Sequence, residues 1–92
     1  MSAEVSWLYE LAVKPGQVGS FKTLMAELID SARAESGTFL YEWSLSDDES
    51  VAHIREGYAD SAATLSHLAR FRETFAERFR SAVEPTAAYT QQ

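Results

Sequence analysis

Alternation of apolar and polar residues begins at Val5. Val5, Trp7, Tyr9, Leu11 and Val13 fall on one side of a two-residue period, and Ser6, Leu8, Glu10 and Ala12 on the other, which predicts a strand over Val5–Val13. Lys14-Pro15-Gly16-Gln17 breaks it, because proline and glycine end the ladder. The period then lengthens. Val18, Phe21, Leu24, Met25, Leu28, Ile29 and Ala32 form one helical stripe, predicting an amphipathic helix from Val18 to Glu35. Gly37 is placed to end it in the left-handed conformation that glycine tolerates. Alternation returns over Thr38–Ser46, with Phe39, Tyr41, Trp43 and Leu45 on one face. The polar run Ser46-Asp47-Asp48-Glu49-Ser50 predicts a hairpin turn into a third strand, Val51–Tyr58. There Val51, His53 and Arg55 alternate with Ala52, Ile54, Glu56 and Tyr58.

Asp60 or Ser61 can cap the helix that follows, accepting hydrogen bonds from its first unpaired amides. Helical pattern runs over Ser61–Arg70 and continues over Arg72–Val83, with Phe71, Phe75 and Phe79 spaced by four along one face. No proline or glycine separates the two stretches, and a kink or short turn near Phe71 stays open without being located. Glu84-Pro85 ends the helix, since proline disfavours the helical conformation in its predecessor. Thr86–Thr90 reads as a short, weak fourth strand. The order is that of the split βαβ, ferredoxin-like α+β sandwich. Helices cover one face of such a sheet. These strands carry apolar side chains on both faces, so a second copy of the same sheet is the simplest cover for the other.

Composition sharpens this picture. Ninety-two residues suffice for a single domain, 1–92. A chain of that size buries only about 60–65% of its extended surface, so a hydrophobic content of 46% favours an oligomer. The net charge of −6 argues against nucleic acid and anionic membrane as partners. There is no cysteine, hence no disulfide and no thiolate metal site. Met1-Ser-Ala-Glu-Val5 lacks a basic, apolar leader, and no apolar run approaches the ~20 residues needed to span a bilayer. The expectation is a cytoplasmic protein.

Several residues at these positions together resemble a known family. Lys14-Pro15-Gly16 follows the first strand, Glu35-Ser-Gly37 closes the first helix, and Tyr41 lies on the second strand. The fullest match is Glu56-x-Tyr58-x-Asp60-x-x-Ala63-x-x-x-His67. The chain resembles the antibiotic biosynthesis monooxygenase domain, which includes quinol monooxygenases, from its first strand to Val83. The resemblance implies a dimeric α+β barrel, two ferredoxin-like protomers packed sheet to sheet. It also implies a cavity between sheet and helices in each protomer, and oxygenation of a phenolic or quinol-type aromatic with no flavin, haem or metal.

Cofactor-free oxygenation asks little of a protein: hold the ring, remove one proton, and shelter the anion from water. Imidazole suits the base role. His67 is the first candidate, with Glu56 as its orienting partner or as the group that binds a substrate hydroxyl. Alternatively, His67 fixes the strand–helix corner and Glu56 pairs with Arg70 or Arg72. His53, on the opposite side of its strand from Glu56, is the second candidate, or sits at a dimer interface. Tyr41, Trp43 and Tyr58 are the expected pocket walls. The Phe71/Phe75/Phe79 ladder reads as helix–sheet packing. The acids and arginines of the last helix read as a solvated face. Two histidines fourteen apart with no dense ligand motif do not make a metal site. Two rivals to an enzyme remain: a non-catalytic module that binds a small aromatic or serves a structural role, and a haem-handling relative.

Overall fold

The structure, a computed structural model, describes residues 3–91. Met1 and Ser2 of the N-terminal segment considered above, and Gln92, lie outside them. The elements run β1 (Val5–Val13), α1 (Val18–Arg33), β2 (Thr38–Leu45), β3 (Val51–Tyr58), α2 (Ser61–Thr74), α3 (Ala76–Ala82) and β4 (Val83–Gln91). The strands form one antiparallel sheet in the order β2-β3-β1-β4. This is the expected ferredoxin-like α+β arrangement. No described helix is long and apolar enough to cross a membrane.

The register explains how the sheet positions its side chains. Trp7 lies opposite Glu56, and Glu56 opposite Tyr41. The next row on the same face is Tyr9, Ile54 and Trp43, and the next Leu11, Ala52 and Leu45. These rows meet the buried stripe of α1, which is Phe21, Leu24, Met25, Leu28 and Ala32. The core joins that stripe to Leu11, Ala52, Ile54, Phe75, Ala82 and Val83. Phe21 is fully buried and meets Trp43 edge-on, ring centroids 5.6 Å apart. Trp43, partly buried, thus packs against the core beneath α1. Arg78 ties α3 to α1 through a two-pronged contact with Glu27, at 2.9 and 2.7 Å.

Two expectations need correction. First, α1 stops at Arg33, and its cap residue, Ala34, stays right-handed. Gly37 does not supply a left-handed cap; Gly16 is the glycine with positive φ. Gly37 is required for a close approach instead. A Cβ there would lie 2.4 Å from Ala63 Cβ on α2. The bare backbone lets the α1–β2 loop press against α2, and Gly37 O accepts from Ala59 N at 2.8 Å. Gly37→Ala is therefore expected to overpack this contact and cost about 1–3 kcal/mol, read by urea denaturation.

Second, β4 is longer than the sequence suggests. It starts at Val83, directly after α3, and includes Pro85. Proline is tolerated because β4 is an edge strand and the ladder slips beside it. Leu11 pairs with Pro85 and Glu10 with Ala87, leaving Thr86 as the extra residue, whose hydroxyl donates to Glu10 O at 3.0 Å. The break left open near Phe71 falls at Phe75, with no proline or glycine to mark it. Phe75 leaves helical geometry (φ −122°, ψ −19°) and turns its ring into the core. Phe71 and Phe79 then stack edge-on at 5.2 Å. A straight helix would have kept all three rings on one face.

Candidate functional site

β3 ends as its helix-side residues reach the start of α2. Asp60 caps α2, its carboxylate accepting from Ala63 N at 2.8 Å. That fixes the helix so that His67, two turns in, lies over the sheet row holding Glu56. Both are 4% exposed. His67 Nε2 stands 3.7 Å from Glu56 Oε1. Its ring lies 5.1 Å from that of Tyr58 and 5.3 Å from that of Tyr41. Tyr58 donates its hydroxyl hydrogen to Glu56 Oε1 in a short bond. Trp7 packs on Tyr58 at 5.3 Å between ring centroids.

The other imidazole nitrogen has a partner that the sequence reading did not assign to the site. Nδ1 lies 2.8 Å from Glu35 Oε1, an atom that also accepts from the Thr38 hydroxyl at 2.7 Å. Glu35 follows α1 in the loop that Gly37 allows to approach α2. The two carboxylates flank opposite edges of the imidazole. They do not converge on one point, and among the described residues no group of three or more acids and histidines is placed to hold a metal ion.

Tyr9, Leu11, Tyr41, Glu56, His67, Leu68, Phe71, Phe79 and Pro85 line a cavity of about 170 Å³. Its walls are mainly aromatic and aliphatic, with His67, Glu56 and the tyrosines as polar groups. The candidate residues therefore divide. His67, Glu56 and Tyr41 line the cavity, and Tyr58 braces Glu56 from beside it. Trp43 is partly buried against the core and does not line the cavity. His53 faces away on the other side of the sheet, 3.4 Å from Glu10. Phe71 and Phe79, read as packing, form part of the cavity wall, as do Tyr9 and Leu68. Among the described residues no arginine forms an ion pair with Glu56; Arg70 approaches Glu35 instead, at 3.9 Å.

Burial pushes the Glu56 carboxyl above its ordinary value of 4.5. The Tyr58 hydrogen bond and the nearby His67 oppose the shift, the Trp7 indole opposes it further without reaching hydrogen-bond geometry, and Glu35 reinforces it. Burial and the Glu56 charge also raise Tyr41, Tyr58 and Tyr9, so all three phenols stay protonated at neutral pH. The unfolded chain ionises Glu56 near 4.5, whereas the fold keeps it protonated to higher pH. Its contribution to stability is complete below that value and is lost as pH rises through the raised folded one. Glu56→Gln should flatten that fall in a pH series of denaturation midpoints.

The antibiotic biosynthesis monooxygenase family model matches residues 7–85. No curated protein matches the sequence at a significant level. Among solved structures the chain is similar to MupZ from Pseudomonas fluorescens, with TM-score 0.81 and 22% identity over 92% of this chain and 68% of that one. It is similar to a putative antibiotic biosynthesis monooxygenase from Bacteriodes thetaiotaomicron, with TM-score 0.85 and 21% identity over 97% and 88% of the two chains. It is also similar to SnoaB, a cofactor-independent oxygenase from Streptomyces nogalater, with TM-score 0.79 and 17% identity over 97% and 93%. At these identities the structural likeness is one of fold. The family model spans most of the chain, including every cavity-lining residue and both carboxylates that flank His67, and the chain therefore belongs to the antibiotic biosynthesis monooxygenase family.

Proposed function

We propose that this protein is a cofactor-independent monooxygenase of a small phenolic or quinol-type aromatic. The observation that carries the reading is a mainly apolar cavity with an imidazole and a carboxyl side by side in its wall. A site that only bound an aromatic would need neither ionisable group in its wall. A haem-handling role fits less well, because a porphyrin is far larger than the cavity.

The chemistry balances without a cofactor. His67 Nε2 takes the proton of a ring hydroxyl. The phenolate gives one electron to O2, and the resulting radical pair combines at a ring carbon to form a peroxide. Proton return and loss of water leave the oxidised ring: a hydroquinone and O2 become a hydroxyquinone and one water. Phe71, Phe79 and Leu68 keep bulk water from the anion. Tyr9 and Tyr41, held neutral, remain hydrogen-bond donors to ring oxygens. A dry cavity of about 150 Å³ accommodates benzene. The volume here therefore suits a single ring, and larger substrates would project from the mouth. Oxygen uptake by metal-stripped protein against hydroquinones, naphthohydroquinones and anthrones, corrected for autoxidation, tests the reading. Monocyclic hydroquinones should turn over best. Uptake no faster than autoxidation across that panel would count against it.

The same reading includes a homodimer. The sheet face away from the helices carries Leu8 and Leu40 beside Phe39 and Tyr89, which are 57% and 56% exposed. Gly57 leaves room there for Phe39, which a Cβ would approach to 2.8 Å. A second copy of this sheet would cover the patch and close a barrel. Sedimentation should give twice the chain mass, and Phe39→Glu should lower it towards one.

A further inference from the structure

The sequence pairs His67 with Glu56, yet the geometry gives that pairing to another residue. We propose that Glu35, rather than Glu56, is the positioning residue that readies His67 as a base. It fixes the ring proton on Nδ1 and offsets the charge that arrives when Nε2 takes a proton. This rests on the reading of His67 as that base.

Three observations carry it. The Nδ1–Oε1 distance of 2.8 Å is a hydrogen bond, whereas the Nε2–Glu56 separation of 3.7 Å is not. A carboxylate only accepts, so Nδ1 must carry the hydrogen and Nε2 presents a bare lone pair on the cavity side. Next, Glu35 is itself held. The Thr38 hydroxyl donates to the same oxygen at 2.7 Å, and Arg70 stands 3.9 Å from the other. That other oxygen, Oε2, is buried with no hydrogen-bond partner. An under-satisfied buried carboxylate is costly for structure alone. It is intelligible where negative charge must wait beside a group that becomes positive during turnover. Finally, Glu35 lies outside the cavity wall, so it acts on the ring without touching substrate.

Glu56 is then free for another task. Tyr58 holds its Oε1 3.7 Å from Nε2, so a substrate hydroxyl that donates to Nε2 would lie beside the Glu56 carboxyl. The two carboxylates divide the work: one behind the imidazole sets its tautomer and charge, and one in the wall seats the substrate.

Nitrogen-15 NMR of the His67 ring tests this without reference to any substrate. In the full-length wild-type protein, neutral His67 should carry its proton on Nδ1 in a ratio of about ten to one or more, the excess that one hydrogen bond of about 1.4 kcal/mol confers. Glu35→Leu should release the ring towards the Nε2-protonated form. Glu35→Gln should keep the Nδ1 proton, because its amide oxygen can still accept from Nδ1 and Thr38, while losing the charge. With a substrate in hand, Glu35→Gln should lower kcat about tenfold or more and leave KM within about threefold, and Glu35→Asp should recover part of the loss. An Nε2-protonated ring in wild type, or an unchanged tautomer in folded Glu35→Leu, would overturn the assignment. So would an unaltered kcat in Glu35→Gln. A wild-type protein with the Nδ1 tautomer but no oxygenation would leave the pairing standing and refute the monooxygenase reading instead.

Discussion

His67→Ala should reduce enzyme-dependent oxygenation by roughly 10²–10⁴-fold, the span that a positioned general base contributes. Most of the loss should appear in kcat. The cavity walls, Tyr9, Tyr41, Phe71 and Phe79, remain in place, so KM should change little. The substitution also opens space between Tyr41 and Tyr58, whose rings both pack on the imidazole. Added imidazole should therefore restore part of the rate, and a smaller aliphatic amine less. His53→Ala is the matched control. His53 lies across the sheet beside Glu10, so its removal should leave the rate per active site intact. If His53→Ala abolished turnover and His67→Ala did not, the cavity described here would be the wrong one.

The largest expected effect on stability lies elsewhere, at Phe21. Its ring is fully buried at the centre of the α1 stripe and meets Trp43 edge-on. Phe21→Ala removes that packing and leaves a cavity that Leu24, Met25 and Ile54, all tightly enclosed, cannot readily fill. The expected cost is about 3–5 kcal/mol. Domains of this size have only about 5–15 kcal/mol in total. The variant should therefore unfold at a much lower urea concentration than wild type. A loss below about 1 kcal/mol would mean that the helix–sheet layer is packed differently from this structure.

Both predictions depend on features that the chain declares to unequal degrees. Periodicity made β1, α1, β2 and β3 legible, because each buries one face and the burial imposes a pattern. It could not locate the break at Phe75. That break arises because one ring enters the core while Phe71 and Phe79 turn to the cavity, a demand of tertiary packing with no proline or glycine to announce it. Nor could it foresee that Pro85 would sit within a strand, since only its place on the sheet edge beside an irregular ladder permits that.

The site shows the same division. His67, Glu56, Tyr58 and Tyr41 were named through the family resemblance and the strand-to-helix corner; alternation put Glu56 and Tyr58 on one side of β3, but only the β2–β3 register brings Tyr41 beside them. Trp43 shares that face, but its row lies under α1, so it packs against the core. Glu35 was not singled out beside His67. Its contact with His67 spans 32 positions and depends on the α1–β2 loop closing onto α2. The local signal is the Glu35-Ser-Gly37 match at the end of the first helix, where the missing side chain of Gly37 makes that closure possible. Gly37→Ala should thus loosen the Glu35–His67 contact as well as the fold.

The most direct test of the central claim is isotopic. Metal-stripped protein should be given a monocyclic hydroquinone under ¹⁸O₂, with product formation followed against protein concentration. The rate should be proportional to protein, with one ¹⁸O atom in each hydroxyquinone and the other in water. Product that forms at the autoxidation rate whatever the protein concentration, or that acquires its new oxygen from solvent, would contradict it.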